Sequence, residues 1–273
     1  MPRSSDRAPA HKAAARRQVL ATLTLLAAAS CWPTAPLAAP WPGTMTLSVD
    51  ATDLDHRVQR VTQTVPVAGP GPLTLHHPRW LPGTHGPYGE VSQLAGLQIR
   101  AGGQPLAWTR DPLDPYAFQV QVPAGVSALE LHYEHLSPQH WGQGRPAMTR
   151  QLLGVQWNQT LLYPTTVPAA DVRVQARVRL PAGWQAATAL RDPQGRVAQA
   201  DGQGWVSFAP VSVETLVDSP LFAGRHARRV ELDPPGTPRP VALNLLADEA
   251  AQLEASDAQL GAHRALVQQA DRL

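Results

Sequence analysis

The sequence predicts a mainly β protein: an antiparallel β-sandwich or saddle-like domain followed by a C-terminal α-helical segment. Short segments of alternating apolar and polar residues predict strands, and 28 Pro and 20 Gly among 273 residues predict frequent turns. The final stretch of the chain changes to helical spacing. Hydrophobic residues make up 43% and charged residues 16% of the chain, which is typical of a globular protein rather than a disordered one.

Strand-like alternation recurs from residue 44 to residue 245. Gly102 and Gly103 separate two such segments and predict a hairpin. Between residues 172 and 180 every second residue is apolar, and arginines dominate the other face. Short strands with many turns are typical of stacked antiparallel sheets. The segments with this pattern are 44–50, 97–100, 105–108, 116–122, 129–133, 172–180, 204–208, 226–232 and 240–246.

The pattern changes near Ala247. Residues 248–273 contain no proline and one glycine, and Leu253, Leu260 and Val267 fall at helical spacing. No glycine cap or proline ends this helix before the last residue. We therefore expect it to be the helical start of a further domain, and to fray or self-associate while its apolar stripe is uncovered.

The N-terminus predicts an export signal over residues 1–39, ahead of a β domain over residues 40–247. Five basic side chains precede an apolar run, Val19–Ala29, that is too short to span a bilayer comfortably. We expect cleavage after Ala39 and a periplasmic or secreted protein. In a second interpretation Cys31, the only cysteine, is acylated and anchors the protein to a membrane; removal of the whole signal is favoured.

The net charge of the mature protein excludes a basic binding protein. The whole chain carries +2, but residues 1–39 hold five of the 23 basic and one of the 21 acidic side chains, which leaves −2 for the remainder. Nothing in this composition indicates nucleic acid as a partner.

The segment at residues 78–88 is the most informative local pattern, and it reads PRWLPGTHGPY. Three prolines and two glycines exclude a helix or an interior strand. The segment is therefore predicted to be a shaped loop that holds Trp80, His85 and Tyr88 as candidates for lining a substrate cleft. A tight turn at Pro82 and Gly83 is expected to pack Trp80 into the β core.

Patterns that would supply catalysis are absent from the sequence. No histidine is followed by glutamate, so there is no H-E-x-x-H, and no G-x-S-x-G or phosphate-binding glycine loop occurs. Glu130, His132 and Glu134 share one strand face and could hold a metal, but a solvated strand face is the simpler interpretation. His76 and His77 should point to opposite faces, which makes them poor joint ligands. No catalytic or metal-binding residue is assigned.

Three further segments join the loop in a consistent order: LPAGW at 180–184, AATAL at 186–190 and DSPLFAG at 218–224. Together with P-x-W-x-P-G-[ST] at 78–84, they resemble the N-terminal β-domain of the glycyl aminopeptidase family of zinc metallopeptidases. The resemblance covers residues 44–273. It implies a protein of three parts: this β-domain, a thermolysin-like domain with an H-E-x-x-H zinc site, and a PDZ-like domain.

The resemblance implies removal of small N-terminal residues from peptides, with zinc and the peptide held by the catalytic domain. The sequence lacks those parts, so no catalytic residue is carried over, no cofactor is assigned to this chain, and the chain alone is predicted to be inactive. A rival hypothesis is an independent envelope β-sandwich that binds glycan or protein through its tryptophans. Several exposed indoles in a row would favour that alternative, and buried indoles would favour a structural domain.

Overall fold

Alternation of apolar and polar side chains builds the β architecture of the protein. The computed structural model describes residues 41–80, 85–140, 147–238 and 240–272. The strands are β1 Thr44–Asp53, β2 Val58–Pro66, β3 Gly71–His76, β4 Leu94–Ala101, β5 Gln104–Leu106, β6 Trp108–Arg110, β7 Ala117–Val122, β8 Ala128–Leu136, β9 Leu152–Val155, β10 Tyr163–Pro164, β11 Arg173–Arg179, β12 Gln185–Ala187, β13 Trp205–Ser207, β14 Val211–Ser212, β15 Leu221–Gly224, β16 His226–Glu231 and β17 Ala242–Ala247.

Helical structure is limited. The α-helices are α1 Val213–Val217 and α2 Asp257–Ala270, and the short 3-10 helices are Val91–Gln93, Trp157–Gln159, Ala169–Asp171 and Ala250–Leu253. Within the described part of the chain, no helix is both long and apolar enough to cross a membrane. The mainly β fold class with a C-terminal helix is confirmed.

Four sheets organise the described strands. The largest has eight strands in the order β13-β11-β1-β2-β8-β4-β5, with β14 paired to β11. The others are β10-β3-β7-β6, β12-β15-β9 and the ribbon β16-β17. All pairs are antiparallel except β1 with β11, where Thr44 aligns with Arg173 and Asp50 with Arg179. Several antiparallel sheets were predicted; the parallel pair was not.

One hydrophobic core is shared by the large sheet and the four-stranded sheet. Leu47 of β1 and Leu131 of β8 are fully buried in the same cluster as Leu75 of β3 and Phe118 of β7. β11 follows strict alternation, with its arginines exposed and its valines buried. Burial of these alternating faces is the main source of stability of such a domain.

The C-terminal segment departs from the predicted continuous helix. Residues 250–253 form a 3-10 turn, and α2 begins only at Asp257. Ser256 accepts a hydrogen bond from the Gln259 backbone N–H, and the Gln259 side chain caps the Ser256 N–H in return. This capping box defines the start of the helix. The prediction from apolar spacing alone did not use this signal. Within α2 only Leu260 is buried.

Candidate functional site

The site begins with the loop that follows β3. The backbone N–H of Gly89 donates to the carbonyl of Arg79 at 3.1 Å, and Trp80 forms a β-bridge with Pro87. The two ends of the loop are thus tied to each other. The Pro82–Gly83 turn predicted from the sequence lies outside the described residues.

Glycine is required where the loop closes. A Cβ atom on Gly89 would lie 2.1 Å from the carbonyl oxygen of Pro78, so no other residue fits without a backbone shift. A Cβ on Gly86 would lie 2.9 Å from the ring of Tyr88. The close approach to backbone explains the glycine at position 89, and the Tyr88 ring leaves little room for a side chain at position 86.

The three predicted cleft residues are all exposed on this loop. Trp80 is 62% exposed and Tyr88 is 65% exposed, and His85 is also exposed. The prediction that Trp80 packs into the β core was therefore wrong. The backbone bridge between Trp80 and Pro87 closes the loop outside the core and leaves the indole in solvent.

An ion-pair cluster supports the base of the loop. Asp114 accepts a hydrogen bond from Arg79 at 3.1 Å and lies 3.6 Å from Nε2 of His76. Nδ1 of His76 is 3.0 Å from the hydroxyl of Thr165. His76 thus faces the polar side of β3 while His77 is buried, as predicted for adjacent strand residues.

Tyr116 provides a second support for the loop. Its hydroxyl donates to the carbonyl of Pro87 at 3.0 Å, and its backbone carbonyl accepts from the N–H of His77 at 2.9 Å. The loop is therefore fixed at both ends, so that the exposed aromatic side chains project from a rigid base.

Two histidines are buried in the core; from the sequence, His77 was named only as a poor metal ligand, and His135 was not singled out. His77 and His135 are 1% and 2% exposed. Nδ1 of His77 lies 3.1 Å from the Pro78 carbonyl, while its Nε2 and Nδ1 of His135 have no hydrogen-bond partner among the described residues. The alternating pattern of β8 places His135 on the apolar face, a signal that was available in the sequence.

Burial keeps both imidazoles neutral. It lowers the pKa of His77 from 6.5 to about 4, against the opposing effect of the Pro78 and Gln159 backbone, and Arg110 lowers this pKa further. Burial likewise lowers the pKa of His135 to about 4, and His77 contributes to that shift. Neutral, inward-facing histidines of this kind belong to the core rather than to the exposed surface of the loop.

A metal site does not emerge from the residues that the structure describes. In this part of the chain, no three His, Cys, Asp or Glu side chains come together as possible metal ligands. Glu130 and His132 lie on the exposed face of β8, and Glu134 is 3.5 Å from Arg60 in an ion pair. These residues fit a solvated strand face and do not fit a zinc site.

The tryptophans provide the discriminating observation for a glycan-binding module. Among the six described indoles, Trp157 and Trp184 are buried, and Trp80 is the one that is mainly exposed. Trp41, Trp108 and Trp205 are partly buried. A row of exposed indoles is therefore not seen among the described residues, which favours a structural domain; Trp141 lies outside them.

The fold is similar to parts of larger solved proteins. It is similar to an aminopeptidase N family protein from Idiomarina loihiensis, with a TM-score of 0.60 and 15% identity over 75% of this chain and 32% of that one. An M1 zinc metallopeptidase variant from Deinococcus radiodurans, bound to a Tyr-Ser-Ala substrate, matches with a TM-score of 0.42 and 17% identity over 70% of this chain and 43% of that one.

The family is shown by the sequence itself. Residues 46–225 match the peptidase M61 N-terminal domain, and the chain belongs to that family. No curated protein matches the chain. The chain spans about a third of the length of the Idiomarina protein and under half of the Deinococcus one.

Proposed function

We propose that this chain is the non-catalytic N-terminal domain of a periplasmic, glycyl aminopeptidase-like zinc metallopeptidase. The match of residues 46–225 to the peptidase M61 N-terminal domain carries the proposal. In this proposal hydrolysis and zinc binding belong to a separate catalytic domain, and α2, Asp257–Ala270, leads into that domain.

The loop at 78–89 forms one wall of the substrate cleft in this proposal. Trp80, His85 and Tyr88 are exposed, while hydrogen bonds of Gly89 and Tyr116 hold the two ends of the loop. Rigid exposed aromatics provide a large contact area at a small entropic cost, which suits contact with a peptide. Trp80 and Tyr88 would contact the peptide, with His85 beside them.

The N-terminal 39 residues act as a leader for export in the same proposal. The basic region and the short apolar run of the sequence support this assignment. Cleavage after Ala39 yields a soluble periplasmic domain, whereas acylation of Cys31 would retain the protein at a membrane. Mass spectrometry distinguishes these two products.

Export and inactivity are tested together by expressing the full chain in a Gram-negative host. We expect the protein in the osmotic-shock fraction. Its mass should be that of a chain whose first residue is Pro40. Incubated with zinc and a glycyl chromogenic substrate, it should show no turnover above the buffer. Zinc-dependent turnover that persists through stringent purification would overturn the assignment, and a cytoplasmic full-length product would overturn the location.

The cleft-wall role is tested in a polypeptide in which a thermolysin-like zinc domain follows residue 273. Replacing Trp80 and Tyr88 by Ala should raise KM for glycyl peptides by about tenfold, since two aromatic contacts with the peptide are lost. Trp80→Phe, which keeps an aromatic ring, should restore part of the affinity. An unchanged KM in the double variant would remove the loop from the cleft.

A further inference from the structure

A depression on the outer face of the eight-stranded sheet is separate from the loop. It has a volume of about 320 Å³ and lies over β1, β11 and β13. Five of its six lining residues have polar side chains. The residues that line it are Thr46, Ser48, Gln175, Ala176, Arg177 and Ser207.

Strand register explains why hydroxyl groups surround one guanidinium. Arg177 of β11 aligns with Ser48 of β1 on one side and with Ser207 of β13 on the other. Thr46 and Gln175 form the next aligned pair on the same face. Neighbouring strands lie about 4.8 Å apart, so both serine side chains are within reach of a group bound at Arg177.

Arg177 is held in place before any ligand arrives. Its guanidinium lies over the ring of Trp205, with 4.3 Å between Cζ and the ring centroid. Its Nε donates to Oγ of Ser48 at 2.8 Å. No carboxylate of the described residues pairs with it, and no hydrogen bond from its two Nη groups is found among them. An ordered guanidinium with two available N–H groups is suited to binding an oxyanion.

The surrounding charge favours an anion. Arg173 and Arg179 occupy the same face of β11 as Arg177. Asp50 offsets only Arg179, at 3.4 Å, and Arg173 donates to the backbone carbonyl of Pro210. The local potential at the depression is therefore positive, even though residues 40–273 together carry a net charge of −2.

We propose that this depression binds the oxyanion of a small ligand, a carboxylate or a phosphate group, through the Nη groups of Arg177. Ser48, Ser207 and Thr46 donate further hydrogen bonds from their hydroxyls. Planar, paired N–H donors match two oxygens of such a group, and the adjacent hydroxyls complete its coordination. The site is distinct in position and chemistry from the aromatic loop and does not depend on the peptidase assignment.

The test is an NMR titration of the full chain with sodium phosphate and, separately, with sodium acetate, at constant ionic strength set with chloride. We expect saturable shifts of the Trp205 indole N–H and of the amides at residues 175–177, with a millimolar Kd. Saturation by acetate alone identifies a carboxylate ligand, and saturation by phosphate alone identifies a phosphate ligand. Shifts that remain linear for both anions would overturn the proposal.

Variants distinguish specific anion binding at Arg177 from nonspecific attraction of anions to a cationic surface. Arg177→Gln should weaken binding by at least about tenfold, and Arg177→Lys should weaken it less, because charge is kept and the paired geometry is lost. Arg110→Gln is the matched control: Arg110 is exposed and also stacks on an aromatic ring, at 4.8 Å from Phe118, but lies outside the depression. Equal binding by Arg177→Gln and the native chain would contradict the proposal.

Discussion

Replacing Trp157 by alanine is expected to lower the free energy of unfolding by about 3–5 kcal/mol, the range for deleting a large buried aromatic side chain. Trp157 is fully buried and meets Phe208 edge to face at 6.0 Å between ring centroids. Its indole N–H donates to the carbonyl of Ser219 at 2.9 Å. The substitution thus creates a cavity and also removes the shorter of two hydrogen bonds to the Ser219 carbonyl, which keeps only the Thr188 hydroxyl at 3.4 Å.

The bond to Ser219 connects two distant parts of the chain. Ser219 follows α1, and its hydroxyl donates to the carbonyl of Thr215 at 2.7 Å. The same residue begins the path into β15 at Leu221. Trp157 therefore anchors the DSPLFAG segment against the core, which gives that motif a structural role and makes the substitution costly.

Thermal unfolding followed by circular dichroism checks this expectation. A loss of 3–5 kcal/mol corresponds to a fall in Tm of roughly 6–20 °C for a domain of this size. Trp80→Ala is the matched control: its indole is 62% exposed, so the change should stay within about 0.5 kcal/mol. Similar Tm values for the two variants would contradict the burial of Trp157 described above.

The comparison of these two tryptophans shows what the sequence could predict. Period-two alternation identified strands such as β11 because burial of one sheet face imposes that pattern locally. Whether a side chain outside a strand is buried in the core does not depend on its neighbours in the sequence. Trp80 and Trp157 both lie outside strands, and only the tertiary contacts determine that one is exposed and the other fully buried.

The candidate site shows the same limit. The sequence identified a shaped loop with three prominent side chains, and the structure places all three on its exposed part. The hydrogen bonds that hold the ends of this loop come from Asp114 and Tyr116, which lie far along the chain. No sequence-spacing rule connects them to residue 79 or 87. The parallel pairing of β1 with β11, which creates the Arg177 depression, likewise joins strands separated by more than a hundred residues.

Acid is expected to destabilise the domain between pH 6.5 and about pH 4, and the buried histidines are the reason. An unfolded chain binds a proton at each histidine near pH 6.5, whereas folded His77 and His135 resist protonation until about pH 4. The unfolded state therefore binds more protons within this window, and the free energy of unfolding falls as pH falls through it. Above pH 6.5 the contribution of both groups is fully present.

The expected size of the effect is about 3 kcal/mol for each histidine taken alone, from the difference between its folded and unfolded pKa. Carboxylates act in a different window. Asp53, Asp111 and Asp192 have lowered pKa values because of hydrogen bonds from Arg60, from the Leu113 backbone and from the Arg196 backbone, so their contributions are lost only below about pH 4. The two windows can thus be separated by experiment.

Urea unfolding at pH 7.0, 5.5 and 4.5 measures this dependence. Replacing His77 by Asn and His135 by Gln removes both titrating groups, and the double variant should lose most of the slope between pH 6.5 and 4. His132→Gln is the matched control, since His132 lies on β8 with His135 but on its exposed face, and it should keep the native slope. The histidine explanation fails if the double variant and the native chain lose stability equally in that window, because the protons would then bind elsewhere.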